Sequence, residues 1–159
     1  MPFIGIISEE NVENCIRREI LDKMQLRESS VLFIKEKSIE NIKNIKFETI
    51  IIARKFKKIE PLKKLLEKAT YLVINSDIYS NLNLFENIKA TVITYGFNSK
   101  ATITASSVNE EEMMLCIQST LQDNSNKIIE PQEIKLAINE NSNCTMAVAS
   151  VLVLYGKII

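Results

Sequence analysis

The apolar positions of the first 75 residues fall into two alternating textures. Short continuous runs at residues 3–7, 31–34, 47–53 and 70–77 are rich in β-branched side chains and have the length of strands. Between them, Val12, Cys15, Ile16, Ile20 and Met24 recur at three- and four-residue steps. Ile59, Leu62, Leu65, Leu66 and Ala69 likewise share one face opposite a row of lysines. Both patterns predict amphipathic helices, and residues 38–42 predict a shorter one. Glu9, Glu10 and Glu13 sit where the dipole of the first helix favours negative charge, with Ser8 or Asn11 as its cap, and Pro61 fits the first turn of the lysine-rich helix. Strands alternating with helices imply a mostly parallel sheet with right-handed crossovers and helices on both faces, a three-layer α/β domain.

Beyond residue 84 the texture changes. Residues 90–94 and 101–105 are two β-rich runs with no helix-length connection, so a hairpin or a sharp redirection is expected at Gly96-Phe97-Asn98. NEEEMMLCIQSTLQ (109–122) predicts a helix capped by Asn109, with Met113, Met114, Ile117 and Leu121 inward. Residues 134–138 alternate as a strand. The apolar block 144–155 is compatible with a strand or a buried helix; its length and the following Gly156 favour a helix with a glycine stop. Without repeats or a low-complexity linker, residues 1–159 are expected to form a single domain.

Composition narrows the chemistry. Basic and acidic side chains balance at 20 each, so no global field draws the chain to nucleic acid or an anionic membrane. Locally, residues 35–68 are rich in lysine and residues 106–159 in acid. No apolar run reaches membrane-span length and the start lacks a basic leader, which predicts a cytoplasmic protein. Cys15, Cys116 and Cys144 are odd in number and far apart, the expectation for reduced, buried thiols. The chain has no histidine, which removes histidine-dependent nucleophilic and general-base catalysis and the commonest zinc ligand.

In an α/β protein the first strand-to-helix turn is where a phosphate would bind, because backbone N–H groups at a helix start point toward it. Here that turn is GIISEENVEN. It lacks the glycines, lysine and hydroxyl of a phosphate loop and carries Glu9, Glu10 and Glu13 instead. Each anion–anion contact at about 4 Å costs roughly 1 kcal/mol in water, so ATP is not expected there, and the three glutamates read as a solvated dipole cap. Lys55, Lys57, Lys58, Lys63, Lys64 and Lys68 read as the solvated face of a helix, and Cys15 as a buried thiol. Glu130 and Glu133 flank a Pro turn without an acid–base partner. No catalytic residue, metal ligand or cofactor is called for.

YLVINSDIYSNL (71–82) followed by ATVITYGFNSKATITASSV (90–108) resembles the central domain of the Mur ligase family, the ATP-dependent ligases of peptidoglycan precursor synthesis. Asn75-Ser76-Asp77 stands at that family's Asn-x-Asp turn and Thr94-Tyr95-Gly96 at its Thr-Tyr-Gly turn. The tail NCTMAVASVLVLYGKI (143–158) is similar to the family's Asn-x-x-x-Ala-x-Ala helix through Asn143, Ala147, Ala149 and Gly156. The resemblance implies that the family's phosphate loop falls on residues 8–13, with Val12 in place of the lysine and Glu13 in place of the hydroxyl ligand. It also implies a chain without the flanking substrate domains, and hence no ligase reaction. The expected function is a non-enzymatic binding, regulatory or assembly module with a protein partner or a second copy, in a cell-envelope or sporulation setting. The alternative is a ligand-binding protein or enzyme that uses the cleft at the carboxyl ends of the strands, where Asp77, Tyr95, Asn98 and Lys100 are the candidate ligand-binding groups.

Overall fold

The computed structural model describes residues 3–42, 44–79, 82–138 and 141–158. Met1 and Pro2 of the chain start, and Ser80 and Asn81 within the YLVINSDIYSNL stretch, lie outside the described residues. The four apolar runs of the first half become parallel neighbours: β1 (Ile4–Ile7), β2 (Val31–Phe33), β3 (Thr49–Ile52) and β4 (Tyr71–Asn75), followed by β5 (Thr91–Tyr95). With β6 (Ile103–Val108), β7 (Glu112–Ile117) and β10 (Gln132–Ala137) they form an eight-stranded sheet in the order β10-β7-β6-β5-β4-β3-β1-β2. The pairings from β2 through to β6 are parallel and those of β7 with β6 and β10 antiparallel. β8 (Leu121–Gln122) and β9 (Ile128–Ile129) make a separate small hairpin.

Every residue of β1 and β3 is buried, as a parallel strand covered by helices on both sides requires. On one face Ile4, Ile6, Ile51, Val73 and Ile93 pack under α1 (Glu10–Met24) and α4 (Ser142–Leu154). On the other, Ile50, Ile52, Leu72 and Ile74 pack against Leu62, Leu65 and Leu66 of α3 (Ile59–Glu67), with Ile39 of the one-turn α2 (Ile39–Ile42). The three-layer architecture is therefore the one the alternating textures imply. α4 is the helix read from residues 144–155, and it is apolar on nearly every side because it is buried on nearly every side. Gly156 follows it at φ +66°, and the Gly156 and Lys157 N–H groups donate to Val153 and Leu152 carbonyls at 3.1 and 2.8 Å, the glycine stop expected there.

Three expectations are corrected and one is narrowed. Residues 109–122 are not a helix. Asn109 Oδ1 does accept from the Glu111 and Glu112 N–H groups, both at 2.9 Å, as a helix cap would, but the chain then runs out as β7. Met113, Leu115 and Ile117 alternate inward with period two, and a short apolar run satisfies a helical or a strand template equally until its neighbours choose. Of the two readings of Gly96-Phe97-Asn98, the hairpin is excluded and the redirection stands: β5 and β6 run parallel and share the single pair Tyr95 and Ile103, so the loop offsets the chain and starts β6 where β5 ends. The cap position of α1 is Glu9, whose side chain caps nothing, and Ser8 Oγ donates to the Glu9 carbonyl at 3.0 Å rather than capping the helix. The cysteines are not all thiols. α1 and α4 lie side by side on one face, which brings Cys15 and Cys144 to a Cα–Cα separation of 6.5 Å and joins them in a buried disulfide; Cys116 is free. At a sequence separation of 129, only the tertiary packing reveals the pair.

A bridge that closes so long a loop restricts the unfolded chain strongly. Reduction, or the pair Cys15→Ala and Cys144→Ala, is expected to lower stability by about 2–5 kcal/mol in denaturant unfolding. Thiol titration of the unfolded, unreduced protein should find one free thiol; three would contradict the bridge.

Candidate functional site

Among the described residues, two clefts open at the carboxyl ends of the parallel strands. The first lies beyond β4 and β5, a depression of about 450 Å³ lined by Ser76, Asp77, Tyr79, Asn98 and Lys100 among others. It is built around one carboxylate. Phe97 N–H donates to Asp77 Oδ2 at 2.7 Å, Asn98 N–H to Oδ1 at 3.1 Å, and the Asn98 side-chain amide to Oδ1 at 2.8 Å. That same amide donates to Ser76 Oγ at 2.7 Å. The Asp77 N–H is held in turn by Asn75 Oδ1 at 3.0 Å.

This arrangement accounts for Gly96. A Cβ at Gly96 would lie 2.8 Å from the Asp77 carboxyl carbon, and the residue's φ of +155° is one L side chains rarely adopt. Glycine lets the backbone wrap close enough for the next two N–H groups to reach the carboxylate. Burial alone would raise the Asp77 pKa; the Asn98 amide and the N–H groups of Phe97 and Asn98 outweigh it and hold the carboxyl below its ordinary value.

Of the four residues singled out from the sequence, the cleft brings together Asp77, Asn98 and Lys100. Tyr95 does not reach it. Its ring is 1% exposed, and its hydroxyl hydrogen-bonds with the Asn75 side chain beneath the corner, burial holding its pKa far above that of a free phenol. Tyr79, which sequence reasoning passed over, lines the cleft and accepts the Phe56 N–H at 3.1 Å through its hydroxyl, tying the loop after β3 to the end of β4.

The second cleft, about 370 Å³, sits beyond β1 and β3 and is lined by Glu9, Glu10, Lys35, Glu36, Lys37 and Arg54 with Phe33 and Ile34. The chain leaves β1 for β2 on one side and returns to β3 on the other, so this is the switch point at which open α/β sheets place ligands. Some of its charges have partners within the protein, although the Arg54 Nε is buried without a hydrogen bond among the described residues. Arg54 Nε lies 3.7 Å from Glu9 Oε1, and Glu36 Oε2 accepts the Lys57 and Lys58 N–H groups at 3.0 and 3.2 Å at the start of α3. Glu13 is buried just inside the first turn of α1; burial pushes its pKa up, Glu10 adds to the rise, and Arg17 and Lys35 oppose it. Lys35 and Arg54 could have been found in the sequence as the first charged residues after the second and third strands. Among the described residues, no group of three or more Cys, Asp or Glu side chains is placed to hold a metal ion, and no helix is long and apolar enough to cross a membrane.

No protein-family model matches the chain, and no curated protein matches it in sequence. Among solved structures it is similar to a UDP-N-acetylmuramoyl-L-alanyl-D-glutamate–2,6-diaminopimelate ligase, with a TM-score of 0.62 at 12% identity over 96% of this chain. The fold is Mur ligase-like. The chain spans 43% of that ligase's length, so the likeness is to one part of it. Within the Mur ligase-like fold, the Asn75-Ser76-Asp77 and Thr94-Tyr95-Gly96 turns meet at one corner, and the carboxylate of the first grips the backbone after the second.

Because its folded pKa is depressed, Asp77 contributes stability above its unfolded pKa that is lost as pH falls through the folded value. Asp77→Asn is expected to cost about 1–2 kcal/mol at pH 7, the lower end for bonds to a charged group because the site is solvent-exposed. The deficit should shrink in acid unfolding experiments; an equal cost at both pH values would contradict the charge-based account. Glu13 has the opposite sign. Its raised folded pKa costs stability as pH rises from its unfolded value through its folded one, so Glu13→Gln should unfold at higher denaturant than the parent at pH 7 and lose that advantage near pH 4, within the ordinary carboxylate range.

Proposed function

We propose that this chain is a non-catalytic Mur ligase-like domain that serves as a binding, regulatory or assembly module, with a protein partner or a second copy of itself. The observation that carries the reading is the β1–α1 turn. In a nucleotide-binding α/β domain this turn offers N–H groups and a lysine to a phosphate. Here it offers the carboxylates of Glu9 and Glu10, with Glu13 buried behind them, and Arg54 lies 3.7 Å from Glu9. Val12 and Glu13 occupy the positions that the family resemblance assigns to the phosphate-binding lysine and the magnesium-holding hydroxyl. The same resemblance supplies a cell-envelope or sporulation setting.

A second reading places a small ligand in the cleft beyond β4 and β5, where Asn98 and Lys100 line an open depression. Against it stands the use already made of Asp77, whose two oxygens accept three donors from the protein itself.

ATP, ADP and magnesium are expected to leave the melting temperature unchanged. A ligand bound only by the folded state at a hundredfold excess over its Kd adds about 2.7 kcal/mol, so a shift of that size with any of the three would overturn the non-catalytic reading.

A further inference from the structure

The sheet ends at β10, which has β7 as its only strand partner among the described residues. The Ile138 N–H donates to the Glu111 carbonyl at 2.8 Å, which fixes the phase of the antiparallel ladder. Ile134 and Leu136 therefore turn their backbone groups toward β7, and Glu133 and Lys135 turn theirs outward. The side chains divide by face as well. Ile134 and Leu136 are half-buried against the core, whereas Glu133 and Lys135 stand exposed on the opposite face, where Lys135 Nζ lies 3.3 Å from Glu112 Oε1. Pro131, just before the strand, has no N–H to leave unpaired.

We propose that this edge docks a second copy of the chain, β10 against β10, antiparallel about a two-fold axis at Ile134. In that register Glu133 of each copy faces Lys135 of the other, and each such pair exchanges two backbone hydrogen bonds. Glu112, Lys135 and Glu133 of the partner copy then alternate in sign across three adjacent strands. Ile134 meets its own counterpart on the core face, and Leu136 lies diagonal to it, so two half-exposed aliphatic side chains lose water contact. Centring the axis on Lys135 instead would set ammonium against ammonium, and the charges select the register. The opposite edge, β2, is three residues long and offers no comparable ladder. The proposal rests on the assembly reading above and names the partner and the surface.

Sedimentation equilibrium over a range of protein concentrations tests it. The parent chain is expected to associate reversibly to a dimer. Glu133→Lys and Lys135→Glu should each weaken association at least about tenfold, because each creates a like-charge contact twice across the axis. The double variant, Glu133→Lys with Lys135→Glu, should restore it. Melting curves of dilute samples check that each variant folds. A parent chain that stays monomeric at the highest soluble concentration overturns the proposal, as do single reversals that associate like the parent, a double variant that stays monomeric, or growth beyond a dimer. The nucleotide experiment is independent: a monomer without nucleotide binding removes only this interface, and a nucleotide-stabilised dimer removes only the non-catalytic reading.

Discussion

The Asp77 carboxylate organises the carboxyl end of the sheet. Its two oxygens receive the Phe97 and Asn98 N–H groups and the Asn98 amide, and Gly96 is the residue that lets the chain come close enough for this to happen. The consequence is topological. β6 begins where β5 ends, and the loop of residues 96–102 must hold that offset without a helix behind it. A charged acceptor that collects three donors gives a short loop a defined path, since hydrogen bonds to an ionised group are shorter and stronger than neutral ones. A carboxylate engaged in this way is part of the framework, and that is the physical reason to read the corner as structure.

The rest of the molecule follows from burial on both faces of the central strands. β1 and β3 have no exposed residue, so α1 and α4 on one side and α3 on the other are obligatory cover. The Cys15–Cys144 bridge then locks the two helices of one layer to each other. At the switch point, where a ligand would meet the start of α1, Glu9 lies 3.7 Å from Arg54 and Glu36 accepts the N–H groups that open α3. A phosphate entering there would meet Glu9, Glu10 and Glu36 beside the cations Lys35, Lys37 and Arg54, and each like-charge contact with a carboxylate would oppose its binding.

The first half of the fold was legible because its periodicities are unambiguous. The β-branched run of residues 47–53 suits a strand covered on both sides, and Leu62, Leu65 and Leu66 suit a helix face. Between residues 103 and 137 the text is less decisive. Met113, Met114 and Ile117 fit a helix, Met113, Leu115 and Ile117 fit a strand, and Asn109 caps either a helix or a hairpin turn with the same oxygen. What decided it was pairing with β6 and β10, a non-local fact. Cys15 and Cys144 were hidden for the same reason. Of the candidate site, Asp77 and Asn98 were legible through the turn motifs they occupy, but their bond to each other across 21 residues was not. Tyr95 was placed at the cleft from its position at a strand end, whereas its side chain is buried and Asn75 satisfies its hydroxyl in the core. Arg54 stands in the sequence as the first charged residue after the third strand, but only the strand order makes the end of β3 part of the switch point.

Amide hydrogen exchange at Phe97 and Asn98 tests most directly whether this corner is framework. If Asp77 holds both N–H groups as part of the fold, they should exchange as slowly as the amides of β4 and β5, opening only with the sheet itself. Exchange at the rate of a free loop, with β4 and β5 still protected, would show that the carboxylate is not engaged and would contradict the account.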